Sequence, residues 1–317
     1  TGLPKLFLMH DPLISICIPA YKRIEYLKRL LDSIKAQDVT NYEIVLSDDT
    51  PDDSVKELVS SYNDPSIRYY KNMPAAGSPQ NWNTCIEKAG GEWIKIMHDD
   101  DWFAASDSLR QFSNAIKNSN QHFIFSACSY IDESGKLSSG VARVEEIRDL
   151  EKDPLCLVYN NFIGHPSSVL HKKDAAIVYN PIYKWVVDIE FYIHYLQKHP
   201  GFYYIPQALV NIGTGLSQVS AECYKNPLVE IPEYLSLISD LGNDKTNRNK
   251  FVFFNLWNLV KKFKIKNREQ LSAYYTGPVP EVLDFIINYQ KHIPRIIIKQ
   301  TPWSKYFMKR AFNRLQK

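Results

Sequence analysis

The sequence contains no uninterrupted apolar stretch of the roughly 18 to 20 residues that a membrane-spanning helix needs. It also does not begin with the layout of a signal peptide, in which a positively charged segment precedes an apolar one. We therefore expect neither a membrane-spanning nor a secreted protein. The predicted location is the cytoplasm, and the C-terminal sequence leaves open an attachment to the inner face of the membrane.

Paired cysteines are also missing. The five cysteines are scattered, with no C-x-x-C pair and no spacing typical of a zinc site. Such a pattern indicates reduced thiols of the kind found in cytosolic proteins. Helix-turn-helix, zinc-finger and RNA-recognition signatures are absent as well, so nucleic acid is not an expected partner.

Acidic residues are absent from the end of the chain. From Phe285 onward there are eight Lys or Arg residues and no Asp or Glu, so the net charge of +3 leaves −5 for the first 284 residues. Aromatic and basic residues alternate between Ile293 and Lys317, which is typical of an amphipathic helix on an anionic membrane surface. The alternative is a helix that packs on the protein and exposes its basic face to solvent.

What the sequence does contain is an alternation of strand-like and helix-like segments. Apolar, β-branched runs predict strands at residues 13–19, 42–46, 67–70 and 93–97, with amphipathic helices between them. This alternation predicts an α/β fold with a mostly parallel, doubly wound sheet. From about residue 221 only helical patterns follow, so we predict one domain over residues 1–220 and a helical C-terminal region over 221–317.

Polar side chains follow three of the predicted strands. Tyr21 comes after the first strand, Asp48 and Asp49 after the second, and the triplet Asp99 to Asp101 after the fourth. Ligands of open α/β sheets bind outside the carboxyl ends of the strands, so we expect these side chains to meet there. Adjacent carboxylates repel one another and favour a divalent cation such as Mg²⁺ or Mn²⁺. The set predicts a nucleotide site with a metal.

Each of these residues has a purely structural alternative. The triplet could form a solvated turn in which Asp101 or Ser106 caps the next helix. Tyr21 could pack on the helix that follows it, and the pair of aspartates after the second strand could cap the helix that starts near Asp53 or Ser54.

Five segments, in this order, resemble the motifs of family-2 glycosyltransferases with the GT-A fold. They are P-A-Y-K-R at 19–23, E-I-V-L-S-D-D at 43–49, the glycine-containing stretch 72–81, A-G-G-E-W-I-K-I at 89–96 and H-D-D-D-W at 98–102. The resemblance implies that residues 1–220 form a GT-A catalytic domain. It also implies a hexosyltransferase-like enzyme that builds bacterial polysaccharides or cell-surface glycans.

The resemblance implies a nucleotide-sugar donor, with UDP as the expected nucleotide and dTDP or GDP as alternatives. Its base would lie against Tyr21 and near the backbone of Pro19. Asp49 would accept a hydrogen bond from the base, and Asp48 would either join it or orient the loop.

The same resemblance places Mn²⁺ or Mg²⁺ at the acidic triplet. Asp101 is the expected metal ligand, and Asp100 is expected on the metal or the ribose. We expect Asp99 to face solvent, and His98 stands where the family often has another aspartate.

A general base is expected further along the chain, because an acceptor hydroxyl must lose its proton as it attacks the donor sugar. The segment at 185–192 resembles the family's base motif, with Asp188 as the expected base and Glu190 as the runner-up. The alternative is that both carboxylates simply stabilise the first turn of a helix over 189–198.

Residues 160–170 resemble the acceptor side of the family's site. Gly164 permits a close backbone approach, and His165, Ser167 and Ser168 are candidate contacts to the acceptor or the donor sugar. Residues 211–220 lie where relatives carry a flexible loop over the diphosphate.

Together these features predict a metal-dependent, inverting glycosyltransferase that acts on a hydroxyl of a glycan or lipid-linked acceptor. The sequence lacks Q-x-x-R-W, a motif expected of processive synthases, so one sugar per encounter is the expectation. Two alternatives are a catalytically silent protein that binds sugar nucleotides as a scaffold, and a nucleotidyltransferase that makes the activated sugar.

Overall fold

The computed structural model of the protein describes residues 13–215 and 222–316. The chain forms two compact units from interleaved segments. The sheet unit contains residues 13–142, Ile163–Tyr179 and Lys198–Gly215, and the helical unit contains Arg143–Phe162, Asn180–Gln197 and residues 222–316. The predicted domain boundary near residue 220 stays a prediction.

The sheet unit is organised around one nine-stranded sheet. Its main path has the order β3-β2-β1-β4-β8-β6-β9-β5, and β7 pairs with β6 outside that path. The strands are β1 Ile14–Ala20, β2 Tyr42–Asp48, β3 Ile67–Lys71, β4 Trp93–Ile96, β5 Trp102–Phe103, β6 Phe123–Asp132, β7 Leu137–Gly140, β8 Val169–Lys172 and β9 Tyr203–Thr214.

The predicted parallel strands form one half of this sheet. β1 lies between β2 and β4, parallel to both, and β3 extends the sheet beyond β2. All seven residues of β1 are buried, as its continuous apolar sequence predicts for a strand covered on both faces. Ala20 lies opposite Asp48 in the register, so the carboxyl ends of β1 and β2 meet at the same edge.

The other half of the sheet contains all of the antiparallel pairings. β8 runs antiparallel to both β4 and β6, and β5 runs antiparallel to β9. Trp102 lies opposite Asn211, so the chain that follows the acidic triplet is tied to β9. The fold is therefore α/β with a mixed sheet.

Four helices of the sheet unit connect its strands: α1 Ile24–Lys35, α2 Ser54–Ser61, α3 Gln80–Lys88 and α4 Ser108–Asn118. α1 buries Leu27, Leu30, Leu31 and Ile34, the apolar positions with helical spacing. Fully burying each such side chain stabilises the fold by roughly 1.5–3 kcal/mol.

α2 starts at Ser54, where the sequence predicts it, with Asp53 in the N-cap position. Asp53 precedes the helix but forms no side-chain cap hydrogen bond. Instead Asp52 Oδ1 accepts a hydrogen bond from the backbone N–H of Ser54 at 3.0 Å, because an aspartate readily bonds the amide two residues ahead.

Ten helices are described in the helical unit, the last residue of α7 belonging to the sheet unit. They are α5 Val144–Lys152, α6 Cys156–Tyr159, α7 Val187–Lys198, α8 Pro227–Asp240, α9 Asn243–Thr246, α10 Lys250–Phe263, α11 Arg268–Ser272, α12 Glu281–Lys291, α13 Arg295–Lys299 and α14 Thr301–Leu315. Within the described ranges, none of the helices combines the length and the apolar character that a membrane crossing requires.

α10 supplies much of the core of the helical unit. Trp257 is fully buried and its ring lies 6.4 Å from that of Phe253 and 6.0 Å from that of Tyr289. These aromatic contacts give the unit its own apolar core, as expected for an independent packing unit.

Candidate active site

Tyr21 and the aspartates after β2 lie at the carboxyl edge of the parallel strands. Tyr21 is 51% exposed, so its ring is available to a ligand. The carboxylate of Asp48 is fully buried and accepts hydrogen bonds from Tyr69 Oη at 2.7 Å and Lys71 Nζ at 3.1 Å. These bonds tie the end of β2 to β3, so Asp48 stabilises the carboxyl edge of the sheet through buried contacts.

Asp49 orders the loop that follows β3. Its Oδ1 accepts from Asn72 Nδ2 and from the backbone N–H of Ala76, both at 2.8 Å, and its Oδ2 accepts from the N–H of Gly77 at 2.8 Å. A carboxylate oxygen can accept two hydrogen bonds, so Oδ2 keeps one further position for a ligand donor.

The acidic triplet is buried. Asp99, Asp100 and Asp101 are 1%, 8% and 1% exposed, so the expectation that Asp99 faces solvent is wrong. The interpretation of the triplet as a solvated capping turn is also wrong, because Asp107 is the residue that precedes α4.

Arg23 explains the position of Asp99. Its Nη2 donates to Asp99 Oδ1 at 2.5 Å and its Nε donates to Asp99 Oδ2 at 3.2 Å, while Nη1 reaches Asp100 Oδ2 at 2.9 Å. Arg23 and Lys22 both have left-handed backbone conformations, with φ of 38° and 60°. Such conformations are unfavourable for residues other than glycine and occur preferentially at functional sites.

A second arginine contacts the backbone of the triplet. Arg29 Nη2 donates to the carbonyl oxygen of Asp100 at 2.8 Å, and its guanidinium carbon lies 3.6 Å from the ring centre of Trp102. α1 thus supplies one arginine, and the turn before it another, to hold the acidic segment in place.

Asp101 has the features of a metal ligand. Its Oδ1 accepts from the N–H of Gly213 at 3.1 Å, whereas Oδ2 is buried and forms no hydrogen bond of standard length and angle with the described residues. The nearby hydroxyl of Ser167 interacts with this carboxyl group and partly opposes the rise in its pKa. Burial and the neighbouring charge of Asp100 raise the pKa of Asp101 well above its usual value. An unpaired buried carboxylate oxygen is costly unless a cation or proton satisfies it.

His98 completes this acidic group. Burial lowers the pKa of His98 to about 4, so its imidazole is neutral at pH 7, the form that binds metals. His98 Nε2 is buried without a hydrogen-bond partner in the described chain, and Nδ1 lies 4.0 Å from Asp101 Oδ2. Ligand atoms of His98, Asp100 and Asp101 lie within 4.8 Å of one another. These donors fit a divalent cation of the Mg²⁺ or Mn²⁺ type.

Ser167 and the buried Lys95 hold the backbone next to His98 in place. The backbone N–H of His98 donates to Ser167 Oγ at 3.0 Å, and Lys95 Nζ donates to the carbonyl oxygen of Ser167. Lys95 is fully buried, and burial lowers its pKa to about 7. Ser167 and Ser168 are also fully buried, so both serines sit behind the predicted contact surface.

Gly164 and His165 directly precede the short turn that contains Ser167 and Ser168. Gly164 has a φ of 83°, a conformation that glycine adopts without strain. The ring of His165 lies 5.8 Å from that of Tyr130, and burial lowers the pKa of His165. Their role as sugar contacts stays a prediction.

Part of the predicted flexible loop is a strand. Asn211–Thr214 belongs to β9, and Gly213 packs against the acidic triplet. A Cβ atom on Gly213 would lie 2.4 Å from the carbonyl oxygen of Asp100, so only glycine fits there. Residues 216–220 of the predicted loop lie outside the described residues.

In the helical unit, Asp188 lies in the first turn of α7. Its Oδ2 accepts from Asn161 Nδ2 at 2.7 Å and its Oδ1 accepts from the N–H of Ile189 at 2.9 Å. Burial raises the pKa of Asp188 to about 7, and these hydrogen bonds only partly oppose that effect. A carboxyl group with this pKa exchanges its proton near neutral pH, as a general base requires.

The start of α7 does not need Asp188 as its cap. Glu233 accepts hydrogen bonds from the N–H groups of Lys184, Trp185 and Val186 at 2.7–3.1 Å. Glu190 is engaged too, because its Oε1 lies 3.0 Å from His194 Nδ1. Both predicted base candidates are therefore hydrogen-bonded, but Asp188 is partly exposed whereas Glu190 is buried.

Sequence reasoning gave no role to four residues of the site: Arg23, Arg29, Trp82 and Lys95. The ring of Trp82 lies 4.7 Å from that of His98 and 5.1 Å from that of Tyr179. A lysine inside an apolar strand was a visible signal for Lys95, since such a residue needs a buried partner. The partners of the other three residues come from distant parts of the chain.

The chain is similar in sequence to a known protein family and to individual glycosyltransferases. The family model described as "Glycosyl transferase family 2" matches residues 15–177, just over half of the chain. A glucosyltransferase of Campylobacter jejuni, named for a GalNAc(5)-diNAcBac-PP-undecaprenol acceptor, is 27% identical over 58% of this chain and 62% of its own length. The Escherichia coli UDP-Glc:α-D-GlcNAc-diphosphoundecaprenol β-1,3-glucosyltransferase WfgD is 28% identical over 42% of this chain and 53% of its own.

Solved structures agree on the fold. TarS of S. aureus, in complex with UDP-GlcNAc, superposes with a TM-score of 0.58 at 15% identity over 95% of this chain and 90% of that one. The mannosyltransferase PcManGT of Pyrobaculum calidifontis, with GDP-Man and Mn²⁺, gives 0.57 at 14% identity over 97% and 87%. The predicted α/β fold of the GT-A type and the predicted family are confirmed: the chain belongs to glycosyl transferase family 2.

Proposed function

We propose that the protein is a metal-dependent, inverting glycosyltransferase that moves a sugar from a UDP-sugar to a hydroxyl group of a glycan or lipid-linked acceptor. The observation that carries this proposal is the group of His98, Asp100 and Asp101, in which the buried Asp101 Oδ2 has no hydrogen-bond partner of standard geometry in the described residues. It lies at the sheet edge where Tyr21 is exposed.

Asp101 and Asp100, with neutral His98, would hold Mn²⁺ or Mg²⁺. Such a cation neutralises the charge that develops on the leaving diphosphate. The chain prepares this site by burying Asp100 and Asp101, by keeping His98 only partly exposed, and by fixing Asp101 through the N–H of Gly213.

The donor base would bind at the ends of β1 and β2. The exposed ring of Tyr21 offers a stacking surface, and Asp49 Oδ2 keeps one position for an N–H of the base. A pyrimidine with an N–H at its edge, as in UDP, suits this pair. Asp48 contributes by holding the strand end in place.

Asp188 would act as the general base. As the acceptor oxygen bonds to the anomeric carbon, the bond from that carbon to the nucleotide oxygen breaks and the hydroxyl proton passes to Asp188. One displacement of this kind inverts the anomeric centre and needs no covalent nucleophile. Asn161 orients the carboxylate through Oδ2, and the pKa of Asp188 near 7 leaves a large ionised fraction at neutral pH.

The acceptor proposal rests on the relatives. Two of them are named for acceptors linked through diphosphate to undecaprenol, so we propose a lipid-linked acceptor and work at the inner face of a membrane. The chain aligns with about 62% and 53% of those two proteins. Gly164 and His165 are the proposed sugar contacts.

A donor panel tests the proposal. The purified protein is incubated with UDP-, dTDP- and GDP-sugars with Mn²⁺ or EDTA, and thermal shift and nucleotide release are measured. We expect a Mn²⁺-dependent shift and slow UDP release with one UDP-sugar. Pyrophosphate formed from UTP and a sugar phosphate would indicate a nucleotidyltransferase, and binding without release, even with acceptor lipid, would indicate a scaffold.

A further inference from the structure

The outer face of α14 exposes two large aromatic side chains. Trp303 is 52% and Tyr306 is 51% exposed, and their rings make an edge contact with centres 6.3 Å apart. Ile296 on α13 is 74% exposed. Tyr and Trp combine an apolar body with a polar tip and are enriched where one end of the side chain is apolar and the other is wet.

The same two helices also expose several cations. α13 and α14 contain no acidic residue, and their basic side chains at Lys299, Lys305, Lys309 and Arg310 are exposed. In the part of the chain that the structure describes, no salt bridge involves these four cations. We call the set the basic aromatic face; it consists of Ile296, Lys299, Trp303, Lys305, Tyr306, Lys309 and Arg310.

The opposite side of α14 is packed. Ser304, Met308 and Ala311 are buried, and Trp257 Nε1 donates to Ser304 Oγ at 3.2 Å. The ring of Phe312 lies 5.3 Å from that of Phe253. α14 therefore has its own core contacts, and the exposed aromatic side chains are those left over once that packing is complete.

We propose that the basic aromatic face docks on an anionic lipid bilayer, with Trp303, Tyr306 and Ile296 inserted at the interface and the cations against lipid head groups. The positive charge without acidic neighbours is complementary to anionic lipids, and each basic residue near such a surface strengthens binding by about fivefold. Trp303 and Tyr306, which are exposed side by side on α14, are the kind of aromatic groups that an interfacial helix inserts. The catalytic proposal does not depend on this surface.

Vesicle binding by point variants tests this surface. Deleting the tail is unsuitable, because it would also remove the core contacts of Ser304 and Met308. We compare wild type with Trp303→Ser/Tyr306→Ser and with Lys309→Gln/Arg310→Gln, using phosphatidylglycerol–phosphatidylcholine vesicles and pure phosphatidylcholine vesicles. Wild type should prefer the anionic vesicles, and each double variant should lower the partition coefficient at least tenfold.

A matched control removes two charges elsewhere. Lys56→Gln/Lys136→Gln changes two exposed lysines of the sheet unit and should leave vesicle binding within about twofold of wild type. Quenching of tryptophan fluorescence by brominated lipid should be lost in Trp303→Phe if that ring inserts.

Three results would overturn this inference: no preference of wild type for anionic vesicles, equal binding by the double variants, or a wild-type dimer that the variants dissociate. The dimer would show that the face pairs two copies of the chain. UDP release in solution is measured on every variant. A variant that still releases UDP but no longer binds vesicles supports the proposed membrane-docking surface. Vesicle binding without any UDP release contradicts only the catalytic proposal.

Discussion

The carboxylates of the acidic triplet and the carboxylate of Asp188 are both sheltered from water, yet their surroundings differ. Asp99 to Asp101 repel one another, and Arg23 is the counter-ion of Asp99 and Asp100 only. Asp101 Oδ2 has no hydrogen-bond partner of standard geometry among the described residues. Asp188 has a neutral amide and a backbone N–H as its partners.

The two surroundings suit the two tasks proposed for these carboxylates, cation binding and proton transfer. Crowded negative charge with an unpaired oxygen creates a demand for a cation. A solitary carboxyl group with only neutral partners has a raised pKa and can exchange a proton near pH 7. The following predictions separate these two tasks.

The largest expected effect is on the chemical step. Asp188→Asn should lower kcat by about 10²- to 10⁴-fold, because the amide cannot accept the acceptor proton. Mn²⁺-dependent UDP affinity, measured by calorimetry, should stay within about twofold of wild type. Glu190→Gln is the matched control, and a larger loss of kcat in that variant would transfer the role of base to Glu190.

The next effect is on the cation site. Asp101→Asn keeps the shape of the side chain but removes its charge, and should weaken Mn²⁺-dependent UDP binding on the order of a hundredfold or more, beyond the ~10–100-fold loss typical of changes to outer partners of a metal. Glu87→Gln, an exposed change on α3, serves as the control. Unchanged Mn²⁺ dependence in Asp101→Asn would remove this residue from the metal site.

A pH profile sharpens the assignment of Asp188. Its carboxyl must be ionised to accept a proton, so wild-type kcat/KM should fall about tenfold per pH unit below pH 7 and level off above it. The same limb should be missing from the residual activity of Asp188→Asn. Two neighbours interact with the carboxyl group of Asp188. Asn161 donates a hydrogen bond to it, and the charge of Asp188 contributes to the raised pKa of Tyr234.

Stability should change with pH in the opposite direction. A carboxyl group with a raised pKa in the folded state contributes stability below its unfolded pKa, near 4, and loses it as the pH rises through about 7. Relative to wild type, Asp188→Asn should therefore gain in melting temperature between pH 5 and pH 8. A constant difference over this range would contradict the raised pKa.

The smallest effect concerns Arg23. Arg23→Met removes a positive charge beside Asp100 and should tighten Mn²⁺ binding by about fivefold, because the cation no longer competes with the guanidinium. The metal-free protein should melt at a lower temperature, since the buried Asp99 loses its partner. Arg23→Lys keeps the charge and is the control; weaker Mn²⁺ binding in Arg23→Met would show that Arg23 organises the site.

The sequence predicted the parallel half of the sheet well, because its strands are continuous apolar runs and its helices have clear apolar spacing. In the C-terminal part, where the sequence shows only helical patterns, α10 is one such helix, over Lys250–Phe263. The strands β5 to β9 were harder to predict, since their partners are distant in the chain and the pairing of Trp102 with Asn211 has no local signal.

The sequence predicts those residues of the candidate site that directly follow a predicted strand, because the carboxyl ends of parallel strands meet at one edge of the sheet. The acidic triplet was noticed, but the expectation for Asp99 was wrong because its partner, Arg23, lies 76 residues away in the sequence. The role of Gly213 was missed for the same reason. Its sequence indicated a mobile loop, whereas it lies in β9 and contacts Asp101, 112 residues away in the sequence.

The guanidinium that spans Asp99 and Asp100 bears on what the proposed metal ion would contribute to the fold. Because Arg23 already offsets part of the negative charge of the triplet, the proposed ion would not be its sole counter-charge. On the proposed mechanism, the supply of metal would therefore change the activity of the protein more than its stability.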